Sequence, residues 1–351
     1  MRTLIDFAIK TEYGREIRDD LCEIGSQIDW ERFRFLEPLI YKNKTCRGGR
    51  PNIDIVIMIK LLALQHWFGL SDPELEWQVA DRISFRVFLG TTEVVPDFST
   101  VWLFRERLIK SGRFEDLWAE LQSQIDEKGF TVKEGSIQDA TFVTSDPGQK
   151  RNKKEKVSEC KKENQESESI RTTQVQELDK DLLDISINII NSRTEPLEPD
   201  KEPVNEGSWA KKGAKTFFGY KGHILIDTKH HLIRDVETTT ASVHDSKVDL
   251  GIEGIPRYAD KGYDGAGTRG YDAAMKKATR GHKLGIKDIL RNKRICKKRS
   301  HIERSFAVMK RAHKAGHVLV TTVDRAGMKF MMNAFVYNMA QLNHLAHKSS
   351  F

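Results

Sequence analysis

The chain has 351 residues, of which 38% are apolar and 31% charged, and it carries a net charge of +7. That length and apolar content support two or three domains with buried cores, and the basic balance points to an acidic polymer as partner. Four widely spaced cysteines with no CxxC pair argue against a zinc ribbon or a disulfide framework and suit a reducing cytoplasm; MRTLIDFAIKTEYGRE lacks an apolar signal core, and the stretch from Ile53 to Phe68 is too short and polar to span a bilayer.

Residues 1–130 read as an all-α domain. Pro51 suits the first turn of a helix through IDIVIMIKLLALQHWF. Ser71 or Asp72 caps a second helix, PELEWQVADRISFRVFL, which Gly90 stops. Asp97 or Ser99 caps a third, STVWLFRERLIKS, ended by Gly112, and FEDLWAELQSQIDEK makes a fourth before Gly129. Short helices with tight turns suit a helix-turn-helix module, or equally a bundle packed on the next domain. Their tryptophans, Trp67, Trp77, Trp102 and Trp118, read most simply as core.

The pattern changes at residue 131. SIQDATFV has the texture of a strand. Residues 148–210 combine a mixed charge run with an acidic, proline-rich run, around one candidate helix at 175–190, and read as a charged, partly disordered insertion. In FFGYKGHILIDTKHHLIRDVETTT two β-rich runs flank a turn at 227–230 and predict a hairpin. SVHDSKVDLGI reads as a loop opening a helix, IPRYADKGY as a short strand, 271–279 as a helix and KDILR as a last strand. KKRSHIERSFAVMKRAHK predicts a helix, and MKFMMNAFVYNMAQLNHLAH is apolar enough for a core helix. This order over 131–347 suits an α/β domain, a mixed sheet flanked by helices.

Three acids stand out. Asp139 lies inside the first strand, where a carboxylate is costly to bury unless it is paired or binds a cation. Asp260 ends a second short strand, and Glu303 lies on a helix. Hard oxygen ligands of this kind suit Mg²⁺. Arg299, Glu303 and Lys310 fall within about 40° of one another at roughly 100° per residue, beside an apolar stripe of Ile302, Phe306 and Met309. Between Lys276 and Lys314 there are fifteen Lys or Arg and only two acids, a surplus larger than that of the whole chain. Such density has little folding rationale without a polyanion, and a lone glutamate in that field is expected to be ionised.

At these residues the chain resembles the DDE-type insertion-sequence transposases, close to the fifth insertion-sequence group. GRPNID, LQHWFGLSDPELEWQVADRISFRVFLG and PDFSTVWLFRERL resemble that group's N-terminal domain, and FFGYKGHILID and TTTASVHDS its central segments. DATFV carries Asp139, YADKGYDG carries Asp260, and RSHIERSFAVMK carries Glu303. Arg299, Glu303 and Lys310 match the group's last motif, whose tyrosine position is occupied by Cys296 instead. The resemblance implies a ribonuclease-H-like core and a catalytic, metal-ligating triad of Asp139, Asp260 and Glu303 holding two Mg²⁺ or Mn²⁺ ions. It also implies neighbouring strands for the two aspartates. Water would cut a phosphodiester at the transposon end, and the freed 3′-hydroxyl would attack target DNA. Double-stranded DNA is the expected partner, with a homodimer on DNA, in a prokaryotic, nucleoid-associated setting.

Candidate DNA contacts are Lys221 on the hairpin, Lys261 beside Asp260, and Lys297, Lys298, Arg299, Arg304, Lys310 and Arg311 on the basic helix. Asp245 reads as a helix cap rather than half of a histidine-aspartate metal site. Asp146 and Asp264 read as local caps, and His230-His231 as a hairpin turn.

Overall fold

The computed structural model describes residues 20–41, 51–90, 95–148 and 205–349. The helix expected at 175–190 lies outside them. Among the described residues, those up to Asp146 and from Glu206 onward form one compact unit.

Short helices come first: α1 (Asp20–Gly25), a 3-10 turn (Trp30–Leu36), α2 (Glu37–Ile40) and α3 (Ile55–Phe68). Asp54 rather than Pro51 starts α3, its carboxylate accepting a hydrogen bond from the Val56 backbone amide. Ser71 caps α4 (Asp72–Asp81) as expected, but the helix does not run through to Gly90. Arg82 is extended, at φ −89° and ψ 117°, and separates α4 from α5 (Ile83–Leu89). Asp97 caps α6 (Phe98–Lys110), and α7 (Phe114–Glu127) follows. Two tryptophans correct the expectation of an all-core set. Trp77 is 72% exposed and Trp102 46% exposed.

The sheet has seven strands: β1 (Ser136–Ser145), β2 (Ser208–Lys212), β3 (Lys215–Asp227), β4 (Ile233–Thr240), β5 (Pro256–Tyr258), β6 (Tyr271–Asp272) and β7 (His317–Val318). β1 pairs antiparallel with β3, which pairs antiparallel with β4; on its other edge β1 pairs parallel with β5 and, further along, with β7. β6 extends the parallel edge beyond β5. The predicted hairpin is β3–β4, and His231 takes the turn at φ 57°.

Three local expectations fail. SVHDSKVDLGI makes only a single 3-10 turn, Asp245–Lys247, with His244 rather than Asp245 at its cap. Residues 271–279 form strand β6 and coil, because Asp264 binds the Lys277 amide and the Lys276 ammonium and holds this segment extended. KDILR is not a strand but an early part of α8 (Ile286–Arg311), whose Ile286, Ile289 and Leu290 face outward.

The last helix, α9 (Val323–Ser349), explains how the parts cohere. Every residue from Met331 to Met339 is buried, so no flank of that stretch meets water. One side packs with Phe33, Leu36 and the α3 apolar residues, the other with Ile224 and Ile226 of β3 and with α8. Its buried Asn338 is satisfied rather than stranded, since it both accepts from and donates to the Ile233 backbone, each at 2.8 Å. Gly222 is required beneath the helix, since a β-carbon there would stand 2.2 Å from the Phe330 ring.

Burial sets an acid limit on this fold. It pushes His66 down to about 3, helped by the charges of Lys329 and Arg105, and His223 down to about 4. An unfolded chain protonates both at about 6.5, whereas the folded chain does not. Their contribution is therefore complete above about pH 6.5 and lost as pH falls toward the folded values, at roughly 1.4 kcal/mol per pH unit for each imidazole. Burial raises the carboxyls of Asp139, Asp235 and Glu237, which gain stability on acidification and act in the opposite sense. Comparing His66→Asn with the parent isolates the imidazole: the variant's urea midpoint should fall less than the parent's between about pH 7 and about pH 5. Parallel pH profiles for the two proteins would refute the assignment.

Candidate active site

The parallel pairing of β1 with β5 decides where the aspartates stand. Ser136 pairs with Arg257 and Ile137 with Tyr258. Asp139 and Asp260 each lie three residues past the first of these pairs, at the same level on adjacent strands. Asp139 is the more buried, its side chain 21% exposed against 54% for Asp260. Its carboxylate accepts from the Ala140 amide at 2.9 Å, and that of Asp260 accepts from the Lys261 amide at 2.7 Å.

Helix α8 crosses beside these strands and lays Arg299 over both acids. Arg299 Nη2 is 2.8 Å from Asp139 Oδ2, and its Nη1 is 3.5 Å from Asp260 Oδ1. One guanidinium thus joins two carboxylates that are far apart in the chain. Burial pushes the Asp139 carboxyl above its ordinary range; the Arg299 charge and the Ala140 amide oppose the rise, and the neighbouring Asp260 adds to it.

Glu303 lies one helical turn beyond Arg299 and is exposed. Among the described residues, no three Asp, Glu, His or Cys side chains stand together as a complete metal-ligand set. The structure therefore gathers Asp139, Asp260 and Arg299, with Glu303 on the same helix but not joined to them. Lys310 is half-buried, its stem 3.6 Å from where a side chain at Gly316 would begin. Lys221 is a correction. Its ammonium is buried 2.8 Å from Asp245 and 2.6 Å from the Val243 carbonyl, an internal ion pair that leaves no cation for phosphate.

With this geometry in place, the family comparisons are specific. Residues 133–339, more than half of the chain, match the family model described as Transposase DDE domain, and residues 12–107 match the Transposase domain (DUF772). The chain belongs to the DDE transposase family. No solved structure matches it. Membership implies nuclease and transferase chemistry on DNA. Among the described residues, no single helix is long and apolar enough to cross a membrane.

The transposase presents an open cationic face on α8. Lys293, Arg294, Lys297, Arg304 and Arg311 are exposed and make no ion pair among the described residues. Lys298 is also exposed, but its ammonium donates to Tyr258 Oη at 2.7 Å and lies 4.3 Å from that ring's centre. Lys261 is exposed beside Asp260.

Sequence reading missed the floor beneath the aspartates. Arg257 is fully buried; its Nη1 reaches Asp249 at 3.0 Å and Gln138 Oε1 at 3.4 Å. Gln138 also donates to the Val248 carbonyl at 2.7 Å. This network ties β1, β5 and the 248–250 segment together beside Asp139. An arginine in the middle of a three-residue strand was the available signal. Tyr263 is nearly fully buried and its hydroxyl has no hydrogen-bond partner among the described residues; burial, with the Asp139 charge, pushes that hydroxyl upward.

The aspartate pair fits a hard divalent cation by its chemistry. Its donors are carboxylate oxygens, and a positive group already sits between them in the form of the Arg299 guanidinium.

Proposed function

We propose that this transposase cuts DNA at transposon inverted-repeat ends and transfers the resulting 3′-hydroxyl strand into target DNA, with Asp139, Asp260 and Glu303 as its catalytic acids. The single observation that carries this reading is the convergence of Asp139 and Asp260 at one level of adjacent strands under Arg299. The strand order supports a ribonuclease-H-like core: β4, β3 and β1 antiparallel, then β5 and β6 parallel to β1. Residues 1–130 would serve as the end-binding domain and 131–347 as the catalytic one, with 148–210 inserted in it, except that 208–210 belong to strand β2 and not to the insertion.

Asp139, Asp260 and Glu303 would hold Mg²⁺ or Mn²⁺, two ions in the reading favoured here. Bound there, such ions activate the attacking oxygen and stabilise the leaving one. The protein's own groups do the rest. Asp139 is held rigidly by its backbone contact, the Gln138–Arg257 floor and the Arg299 guanidinium. That guanidinium offsets part of the charge of the two acids before DNA arrives and can turn to a phosphate oxygen afterwards. The exposed cations of α8 hold the duplex against the strand ends. Two transposon ends must meet, which favours a homodimer on DNA.

Incubating the protein with Mg²⁺ and DNA carrying the sequence that flanks its reading frame tests the proposal. A joined product supports transposition. Cleavage without joining would leave a nuclease, and binding without cleavage a DNA-binding protein that has lost its chemistry. The surface assignment has its own test. The double variant Lys297→Glu, Arg304→Glu should lower the slope of log K against log salt by about 0.9 for each DNA phosphate that it no longer neutralises. An unchanged slope would remove this helix face from the interface.

A further inference from the structure

Away from the aspartates, a cleft of about 650 Å³ opens between the end of α3, α6, the segment after α8 and the start of α9. Its charges do not balance. Arg105 is paired with Asp72 at 2.8 Å and Arg325 with Glu106 at 2.7 Å. Lys314 and Lys329 also line the cleft and make no direct ion pair among the described residues; Asp72, already paired with Arg105, is the carboxylate whose charge reaches Lys329.

Lys314 is held there against its own preference. Its backbone has φ 51°, one of two positive values among the described non-glycine residues. Its stem lies over Gly69, where a β-carbon would stand 2.7 Å from Lys314 Cδ. Strain of this kind persists only where the surroundings impose it, and it gathers at ligand sites.

Two imidazoles complete the cleft, His66 and His313, 7% and 6% exposed. Asn333 Nδ2 donates to the Lys329 carbonyl, so Asn333 Oδ1 is the atom that faces His66 Nδ1, at 3.4 Å. His313 Nδ1 faces the Trp67 carbonyl at 3.1 Å. Each Nδ1 must therefore carry the proton, which leaves each Nε2 a bare acceptor. Both Nε2 atoms are buried and have no hydrogen-bond partner among the described residues. Burial keeps both rings neutral.

A ligand for this cleft must offer negative charge to two ammonium groups and a hydrogen-bond donor to an imidazole Nε2. A metal cation would be repelled by the lysines. Sulfate and carboxylates carry charge but no proton near neutral pH. A phosphate monoester, whose second pKa is about 6, carries both. The half-exposed Trp102 ring at the rim offers a stacking surface for a base.

We propose that this cleft is a phosphate-monoester site, independent of the aspartate pair and sized for a nucleotide, in which Lys314 and Lys329 hold the phosphate charge and one of the two neutral imidazoles, His66 or His313, accepts a hydrogen bond from the protonated phosphate oxygen.

Calorimetry on the full chain tests this, with inorganic phosphate and sulfate compared at matched ionic strength. Phosphate should bind at a single site at least about tenfold more tightly than sulfate, and Lys314→Gln with Lys329→Gln should lose about tenfold or more in phosphate affinity. Asp139→Asn should leave that affinity unchanged. Equal binding of the two anions, or of parent and double variant, would reveal an adventitious ion only and overturn the site. If the double variant fails to fold, ¹⁵N-labelled histidine in the parent protein decides: phosphate should move the Nε2 resonance of His66 or of His313, and static resonances at both would refute the proposal. Two further ligands identify the source of the phosphate. An oligonucleotide with a 5′-phosphate binding more tightly than dAMP points to a strand end, and equal binding to a free nucleotide.

Discussion

Asp139→Asn should abolish end cleavage, by about three orders of magnitude or more, and leave the protein at least as stable as before. The loss follows from removing one hard ligand of a cation that contributes several kcal/mol to the transition state, at roughly 1.4 kcal/mol per tenfold in rate. The stability follows from the site itself. Burial already disfavours the ionised Asp139 carboxyl, with only Arg299 and the Ala140 amide to offset it. Asparagine keeps the shape and the Ala140 contact, removes the charge and leaves Arg299 with Asp260. A side chain whose removal costs activity but not stability is held in place for function. Cleavage kinetics and a urea denaturation curve together read both quantities. Wild-type cleavage rates in the variant would end the catalytic assignment.

The second large effect is structural. Phe335→Ala should destabilise the whole described unit by about 3–5 kcal/mol, the usual cost of deleting a buried aromatic. Phe335 is fully buried, with ring centres 6.1 Å from Trp30 and 6.0 Å from Phe33. It stands on the stretch of α9 that the helical layer and the sheet share. Its loss should lower one common urea midpoint, seen alike by tryptophan fluorescence and far-ultraviolet circular dichroism. Two separated transitions would show that the N-terminal helices fold independently of the sheet, against the shared core.

Much of the fold was legible because its signals were local. Strand-like, β-rich runs marked β1 and the β3–β4 hairpin, and Ser71, Asp97, Gly112 and Gly129 bounded their helices. What failed depended on partners distant in sequence. Apolar Ile289 and Leu290 suggested a strand, yet they sit on the outer face of α8, and periodicity cannot distinguish exposed apolar residues from buried ones. The break at Arg82 follows a smooth apolar pattern with no glycine or proline to announce it. The same division holds at the site. Helical spacing placed Arg299 and Glu303 on one face, but that Arg299 would reach both aspartates depends on β1 and β5 pairing in one register. Lys221 looked like a phosphate contact because its partner, Asp245, comes 24 residues later.

The long excursion between β1 and β2 leaves and re-enters at points anchored to one short run of chain. At its departure, the Thr144 amide donates to the Gly316 carbonyl and the Ser145 hydroxyl to the Val320 carbonyl. At its return, the Glu206 amide donates to the Thr321 carbonyl, and the Glu206 carboxylate receives the Val323 amide. Both ends of the excursion are thus tied to residues 316–323. A change in chain length between these two ties should therefore leave the pairing of β1 with β3 intact, because residues 316–323 hold each end on their own account.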